Sequence, residues 1–495
     1  MLNVDLRRLV QSGAIYSIPI VLMQAIGFLL LPVYTAYLSR EDYGIVTSAV
    51  AGAALVTAVV SSGPRIALER LYFRDENDPE ALCILVTTSL GFVMLLGLLA
   101  IALGVLFVSW GTALMFGSGS AGARPLGAYM LLALLVVPCT SLLEHSLVLL
   151  QNTQQAKRYA LIRVASLATT ILITLILVVG ARAGALGVLI AGLVAPACAS
   201  LIGLASIRHY LVWSVRWSVL LRILKFSLPL LPVILSGWVV SWVDRFFLDH
   251  LVGLGVTGVY AVAVAIGSVT QVVIAAMMQA WTPVYYRELE ARGNLAHPFI
   301  ARTITLLFSL FVGTGLCIAV FAPEIVSIMT KQAYHGASSS VPFIVLYFLL
   351  GSINGFFTNN IYFSGRSYLL LLTAPLPIFL IVPLNLLLIP QFGGVGAAIS
   401  LAGTAAAYTL ADFLISQRVY PMRLEYNSLA KISCLGFVSF LVGWQISLGS
   451  LMLDLALKSI SLLFFPVLLV FANVLPFSTV RMAMSWASVK LRRAK

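Results

Sequence analysis

Charge is scarce in this chain: 9% of its 495 residues are Asp, Glu, Lys or Arg, and only 17 are acids. A water-soluble domain carries about 25% charged residues, so that class is excluded. The 61% of hydrophobic residues is more than one soluble core hides. Paired cysteine motifs are also missing. Cys83, Cys139, Cys198, Cys317 and Cys434 lie in apolar stretches without CxxC or Cys/His spacing, and read as small buried hydrophobes. No Gly-Lys pair occurs, which excludes a P-loop. His145, His209, His250, His297 and His335 lack ligand spacing. No hydrolase triad or dinucleotide loop is found, so neither an enzyme's catalytic residues nor a metal or cofactor is expected.

What is present is long apolar runs. A helix crosses hydrocarbon in roughly 20 residues, and about fourteen such runs follow one another from 14–38 to 455–477. Irregular backbone cannot face lipid, and no alternation supports a β-barrel, so the reading is an all-α polytopic membrane protein. The first run has a basic start like a signal peptide, but its length argues for a retained span. With an inner N-terminus, 24 of the 30 Lys and Arg residues fall on the inner side. Both termini are therefore expected in the cytoplasm, in the inner membrane of the cell. The basic tail "RMAMSWASVKLRRAK" fits anionic lipid rather than nucleic acid.

The chain also repeats itself. "YSIPIVLMQAIGFLLLPVYTAYL" lies over "FSLPLLPVILSGWVVSWVDRFFL", pairing Ser17 with Ser227, Pro19 with Pro229 and Leu38 with Leu248. Gly44 of "DYGIV" then meets Gly258 of "VTGVY". Next, "YFR" ending at Arg74 meets "YYR" ending at Arg287, and "KRY" from Lys157 meets "RSY" from Arg366. The paired spans are an even number apart, so the halves are parallel repeats. The expected division is a six-helix half over 1–210, a second over 211–420, and two additional helices with the tail over 421–495. Two parallel halves around a central cleft, with no globular domain, point to a carrier.

The stretches "GFLLLPVYTAYLSREDYGIV", "LPLLPVILSGWVVSWVDRFFLDHLVGLGVTGVYAVAVAI" and "NNIYFSGRSYLLLL" before "GGVGAAIS" resemble the polysaccharide-repeat-unit flippases. These are the O-antigen and exopolysaccharide translocases of the multidrug/oligosaccharidyl-lipid/polysaccharide exporter superfamily. The resemblance implies a cargo of polyprenyl-diphosphate-linked oligosaccharide, moved from the cytoplasmic to the outer leaflet by alternating access. It further implies membrane lipid, a polysaccharide polymerase and export machinery as partners. A multidrug exporter of the same superfamily is the first alternative, although an organic cation favours carboxylates and these spans hold few. A membrane glycosyltransferase or polymerase is the second; it needs a larger extramembrane loop than any here.

A diphosphate head group requires fixed cations in a wet cleft. Arg163, early in the fifth span, and Arg65, after the Gly63-Pro64 break, are the deepest candidates, with snorkelling to the interface as the alternative. Arg74, Lys157, Arg287 and Arg366 form repeat-related pairs on the inner side, where topology alone also places cations. Glu144 and His145, six residues beyond Pro138, are candidates for ion coupling. The alternative is a Glu144 paired with Arg163 across the short loop. Asn354, Asn359 and Asn360 are candidates for sugar hydroxyls or for interhelical bonds. Tyr34, Trp238 and Trp242, with Tyr16, offer sugar-stacking faces or an interfacial belt. Asp244 and Arg245 lie about 27 Å along the seventh span and are expected to border the outer gate, with a surface-level anchor as the alternative. As neighbours they should point about 100° apart and not pair; Arg245 would reach Asp249, while Asp244 needs water or another helix.

Overall fold

The computed structural model describes residue 22 and residues 26–75, 77–116 and 126–474, and among these the regular structure is entirely helical. The expectations placed on Tyr16 and on the basic tail lie outside the described residues.

Local sequence sets the helix starts. After α1 (Leu31–Tyr37), α2 (Arg40–Thr57) opens on a capping box, in which the Ser39 side chain accepts from the Asp42 amide and the Asp42 carboxylate from the Ser39 amide. A π-helical turn at Ala58–Ser62 leads directly into α3 (Gly63–Asp75). α4 (Pro79–Leu106) starts at a proline, whose missing N–H the first turn does not need, under an Asp78 cap. Then come α5 (Val108–Phe116), α6 (Leu126–Asn152), α7 (Ala156–Thr174) and α8 (Gly184–Ser206). α9 (Trp217–Ser227) is short and two-faced: Val219 and Ile223 are buried while Trp217 and Leu221 are exposed, the pattern of a helix at a membrane surface.

The second part of the chain gives α10 (Leu231–Leu251), α11 (Leu254–Arg292), α12 (His297–Val320) and α13 (Ala322–Met329). They are followed by α14 (Val341–Phe363), α15 (Leu376–Phe392), α16 (Gly394–Val419), α17 (Tyr426–Gln445) and α18 (Leu451–Phe471). Among the described residues, 12 stretches have the length and hydropathy of a membrane span. The difference from about fourteen sits at two places. The 67-residue stretch Leu254–Val320 contains both α11 and α12, and α1 is the described end of a run that begins outside the described residues.

Packing divides the chain into two compact units. The first runs to Ala265 and adds Met329–Ala337 and Leu371–Thr404. Within it α6 packs on α8, α2 and α4, and α10 packs on α15 and α2. Leu68, Leu85, Leu147 and Ile223 centre one of its cores. The second unit contains Ile266–Ile328, Ser338–Leu370 and the chain from Ala405. Here α12 packs on α14 and α17, and α17 on α18. Gly436 and Gly443 let α17 approach α12: a Cβ at either would stand 2.8 and 2.7 Å from Val312 and Val320 side-chain atoms. The final two helices are thus packed into the second unit.

Candidate functional site

In the first unit the deepest of the expected cations is paired. Arg163 on α7 meets Glu144 on α6 through two contacts, Nη1 to Oε1 at 2.9 Å and Nη2 to Oε2 at 3.0 Å, and its guanidinium lies 5.7 Å from the centre of the Tyr159 ring. Both side chains are partly exposed. The turn 153–155 between α6 and α7 brings their facing surfaces together. His145 is buried, with Nδ1 2.8 Å from the Ser141 carbonyl oxygen one turn back, and no hydrogen-bond partner for Nε2 among the described residues. Arg65, half-buried just after the π-helical turn, lies within electrostatic range of His145. The structure therefore brings Arg163 together with Glu144, and shows no hydrogen bond between Arg65 and His145. Arg74 and Lys157 are exposed, as are Arg287 and Arg366 in the second unit.

Asp244 and Arg245 depart from the expectation. Both are buried, and they do pair: Arg245 Nη1 stands 2.9 Å from Asp244 Oδ1. A radial view of the helix missed this, because a long side chain in a helix folds back toward the N-terminus. The same Nη1 donates to the Ser241 carbonyl one turn earlier at 2.9 Å, and the guanidinium lies over the Trp242 ring at 4.6 Å. Arg245 does not reach for Asp249, which instead accepts from the Thr257 hydroxyl. Asp244 finds its second partner on another helix, as a buried charge must: the Tyr260 hydroxyl of α11 donates to Oδ2.

The expected aromatics do not form one platform. Tyr34 lies 5.8 Å from Tyr43, which lies 6.3 Å from Tyr334. The Tyr334 hydroxyl donates to the Leu38 carbonyl, and burial beside Asp42 and Glu41 holds this phenol well above its ordinary pKa. Trp238 donates from Nε1 to the Ala51 carbonyl at 3.0 Å and meets Phe246 edge-on, while one neighbour of the Trp242 ring is Arg245.

In the second unit the three asparagines of α14 divide their work. Asn360 is buried and committed: its amide donates to Ser416 Oγ and the Tyr420 carbonyl, both at 2.9 Å, and its oxygen accepts from Tyr285 at 2.7 Å. Asn354 donates to Asp412 at 2.7 Å and accepts from Thr358. Asn359 has a long contact of 3.5 Å to Thr282.

Sequence reasoning passed over several polar groups. Asp412 is buried on α16 with Oδ1 lacking a hydrogen bond among the described residues; so are both amide atoms of Asn385, inside the apolar run of α15. Lys458 on α18 and Glu324 on α13 form a buried ion pair at 2.6 Å, with Lys458 also donating to the Val320 carbonyl. A polar or charged residue inside an apolar run was the available signal in each case. An apolar groove of about 530 Å³ runs between α12, α14 and α17, lined by Phe308, Leu316, Leu349, Phe437, Phe440 and Trp444 among others. Among the described residues, no group of three or more His, Cys, Asp or Glu is placed to hold a metal.

Membrane-length helices with ion pairs and hydroxyl-bonded acids held among them define a polytopic helical membrane protein. Solved structures share the fold. The lipid II flippase MurJ, in an inward closed conformation, matches with a TM-score of 0.70 at 14% identity, over 91% of this chain and 97% of that one. An inward-facing multidrug resistance MATE family transporter of the MOP superfamily matches with 0.65 at 17% identity, over 84% and 99%. The eukaryotic MATE transporter AtDTX14 matches with 0.53 at 13% identity, over 86% and 99%. Among curated proteins none matches the sequence significantly. The profile of the polysaccharide biosynthesis protein family matches residues 9–287, more than half of the chain, and the chain belongs to that family.

Proposed function

We propose that this protein is a flippase that moves polyprenyl-diphosphate-linked oligosaccharide repeat units from the cytoplasmic to the outer leaflet by alternating access, for cell-surface polysaccharide such as O-antigen or exopolysaccharide. The family match over 9–287 carries the reading. The likeness of fold to a protein that flips lipid II, itself a lipid-borne cargo, supports it.

The chain's chemistry suits such a cargo. Arg163 and Arg65 are cations held within membrane-length helices, and each would offer guanidinium donors to a diphosphate. Arg74, Lys157, Arg287 and Arg366 are exposed and free to attract the head group first. Glu144, paired with Arg163, and His145, near Arg65, would couple an ion to those cations. Asn354 and Asn359 retain hydrogen-bonding capacity for sugar hydroxyls, whereas Asn360 has spent its own. Tyr34, Trp238 and Trp242 would add stacking surface. Asp244 and Arg245 would border the outer gate. The apolar groove along α12, α14 and α17 suits an isoprenoid tail, which needs cover but no polar partner. A polysaccharide polymerase and export machinery would receive the product.

The fold is equally that of multidrug transporters, so the test must separate the cargoes. Purified protein in vesicles loaded with labelled lipid-linked oligosaccharide should expose the head group on the far leaflet, beyond the rate of empty vesicles. Expulsion of ethidium with no movement of the lipid-linked sugar would replace this reading by a drug exporter.

A further inference from the structure

We propose that the connection from Arg208 to Lys225, between α8 and α10, is a binding site for anionic phospholipid of the inner leaflet, and that transport runs faster when it is filled. The site rests on both termini being cytoplasmic, which puts this connection on the inner side. Its effect on transport rests on the flippase reading.

The stretch from Ile207 to Leu228 holds four cations, Arg208, Arg216, Arg222 and Lys225, and no Asp or Glu. Two of the four are matched by acids at the turn between α3 and α4. Arg222 meets Asp75 through Nη1 at 3.2 Å and Nη2 at 3.0 Å, and Arg216 meets Glu80 at 2.9 Å. Hydroxyls of α4 hold the backbone: Thr87 donates to the Tyr210 carbonyl and accepts from the Val212 amide, and Thr88 accepts from the Arg216 amide. Arg208 and Lys225 are left over, exposed and without an ion pair among the described residues.

Beside these two cations lies an apolar face that no protein covers. Trp213 is fully exposed, and on α9 Trp217, Leu221 and Lys225 follow at four-residue intervals along one exposed ridge, opposite the buried Val219 and Ile223. Indoles and a leucine at the level of the acyl carbonyls, with a lysine reaching for phosphate, are the chemistry of a lipid surface. Two cations without acids favour a lipid of net negative charge over a zwitterionic one. The site is also coupled to a helix that matters. Only the turn Leu228–Leu230 separates α9 from α10, and α3 abuts the join, where a Cβ on Gly63 would stand 2.8 Å from the Ser227 Cβ. A phosphate held at Lys225 therefore fixes the height of the inner end of α10, the helix that carries Trp238, Trp242, Asp244 and Arg245.

Lipid binding can be read without cargo. Full-length protein in detergent is titrated with phosphatidylglycerol brominated in its acyl chains, which quenches nearby tryptophan, and with phosphatidylcholine brominated in the same way. Phosphatidylglycerol should quench at a concentration about tenfold lower or more, each cation contributing roughly fivefold, and W213F/W217F should remove that quenching. R208Q/K225Q leaves Arg216 and Arg222 with their partners and should bring the two lipids level; R208K/K225R should restore the preference. Equal quenching by the two lipids in the parent, or an undiminished preference in R208Q/K225Q, would overturn the proposal. So would displacement by polyprenyl diphosphate at a lower concentration than by unlabelled phosphatidylglycerol, which would give these cations to the cargo. In vesicles, adding phosphatidylglycerol to phosphatidylcholine should speed transport of labelled lipid-linked oligosaccharide several-fold in the parent and not in R208Q/K225Q; an equal gain in both overturns the effect on transport. If the parent moves no lipid-linked sugar, the flippase reading fails and the quenching alone decides the site. If R208Q/K225Q does not accumulate, salt decides it: in about 1 M salt, with a screening length of ~3 Å, the parent's preference should vanish, and a preference that persists overturns the proposal.

Discussion

Glu144 and Arg163, 19 residues apart, face each other across the turn between α6 and α7 and meet through two hydrogen-bonded contacts, at 2.9 and 3.0 Å. The side chains keep 16% and 33% exposure, so loss of one partner does not leave the other a fully buried charge. The position of the pair serves a binding group better than a structural one. Glu144→Gln should leave protein level and thermal stability near those of the parent while transport falls about tenfold. The exchange E144R/R163E restores the attraction but moves the cation to α6. If Arg163 holds the head group, exchange will restore the fold and not the transport; full recovery of transport would make the pair merely structural.

The Lys458–Glu324 pair is the opposite case. Lys458 and Glu324 side chains are 2% and 7% exposed, and a lone charge left in such a place costs about 3–5 kcal/mol. Lys458→Met strands Glu324 and should lower the melting temperature in detergent by several degrees or abolish recovery of monodisperse protein. The double change K458M/E324L removes both charges and should recover most of the loss. Transport by the double variant should remain, because neither Lys458 nor Glu324 lines the apolar groove or is among the side chains assigned to cargo. A double variant no more stable than the single one would show that Lys458 acts by packing alone.

The asymmetry between these pairs also shows what the sequence can and cannot tell. The helical fold was legible because lipid leaves one way to satisfy backbone groups, and the apolar runs are long enough to count. Gly44 and Gly258 could be matched across the repeat, but that a Cβ on Gly258 would stand 3.0 Å from the Gly44 nitrogen could not be read. Lys458 reads as a topological charge until Glu324, 134 residues away, is placed beside it. Asp244 and Arg245 misled the radial view because arginine's length lets it fold back over its neighbour. The apolar groove left no signal at all, since Phe437 or Leu346 facing a groove and facing lipid are the same residue in the same kind of run.

Tyr260 gives a test of the buried acid on α10. Its hydroxyl donates to Asp244, which shares its other oxygen with Arg245. Tyr260→Phe keeps the ring and removes one charge-assisted bond from a carboxylate that is 1% exposed. A loss of about 1.5–3 kcal/mol is expected, read as a lowered melting temperature. Asp244→Asn together with Tyr260→Phe should cost more than either alone, because Arg245 then loses its counter-charge. A melting temperature unchanged by Tyr260→Phe would mean that the hydroxyl bond contributes nothing to the anchor of α11 on α10.

Arg74, Lys157, Arg287 and Arg366 are exposed and without ion pairs among the described residues. Such charges act at a distance, by drawing an anionic head group toward the protein, and salt screens them. Changing all four to Gln should therefore slow the initial rate of lipid-linked oligosaccharide transport at low ionic strength and leave the maximal rate at saturating cargo largely intact. In about 1 M salt, where the screening length is only ~3 Å, variant and parent should converge. A deficit that persists at high salt and high cargo would mean that at least one of the four touches the diphosphate directly. Single reversions would then identify it. If instead the variant accumulates poorly in the membrane while the purified protein transports normally, the four cations serve topology alone, as the distribution of Lys and Arg along the chain permits.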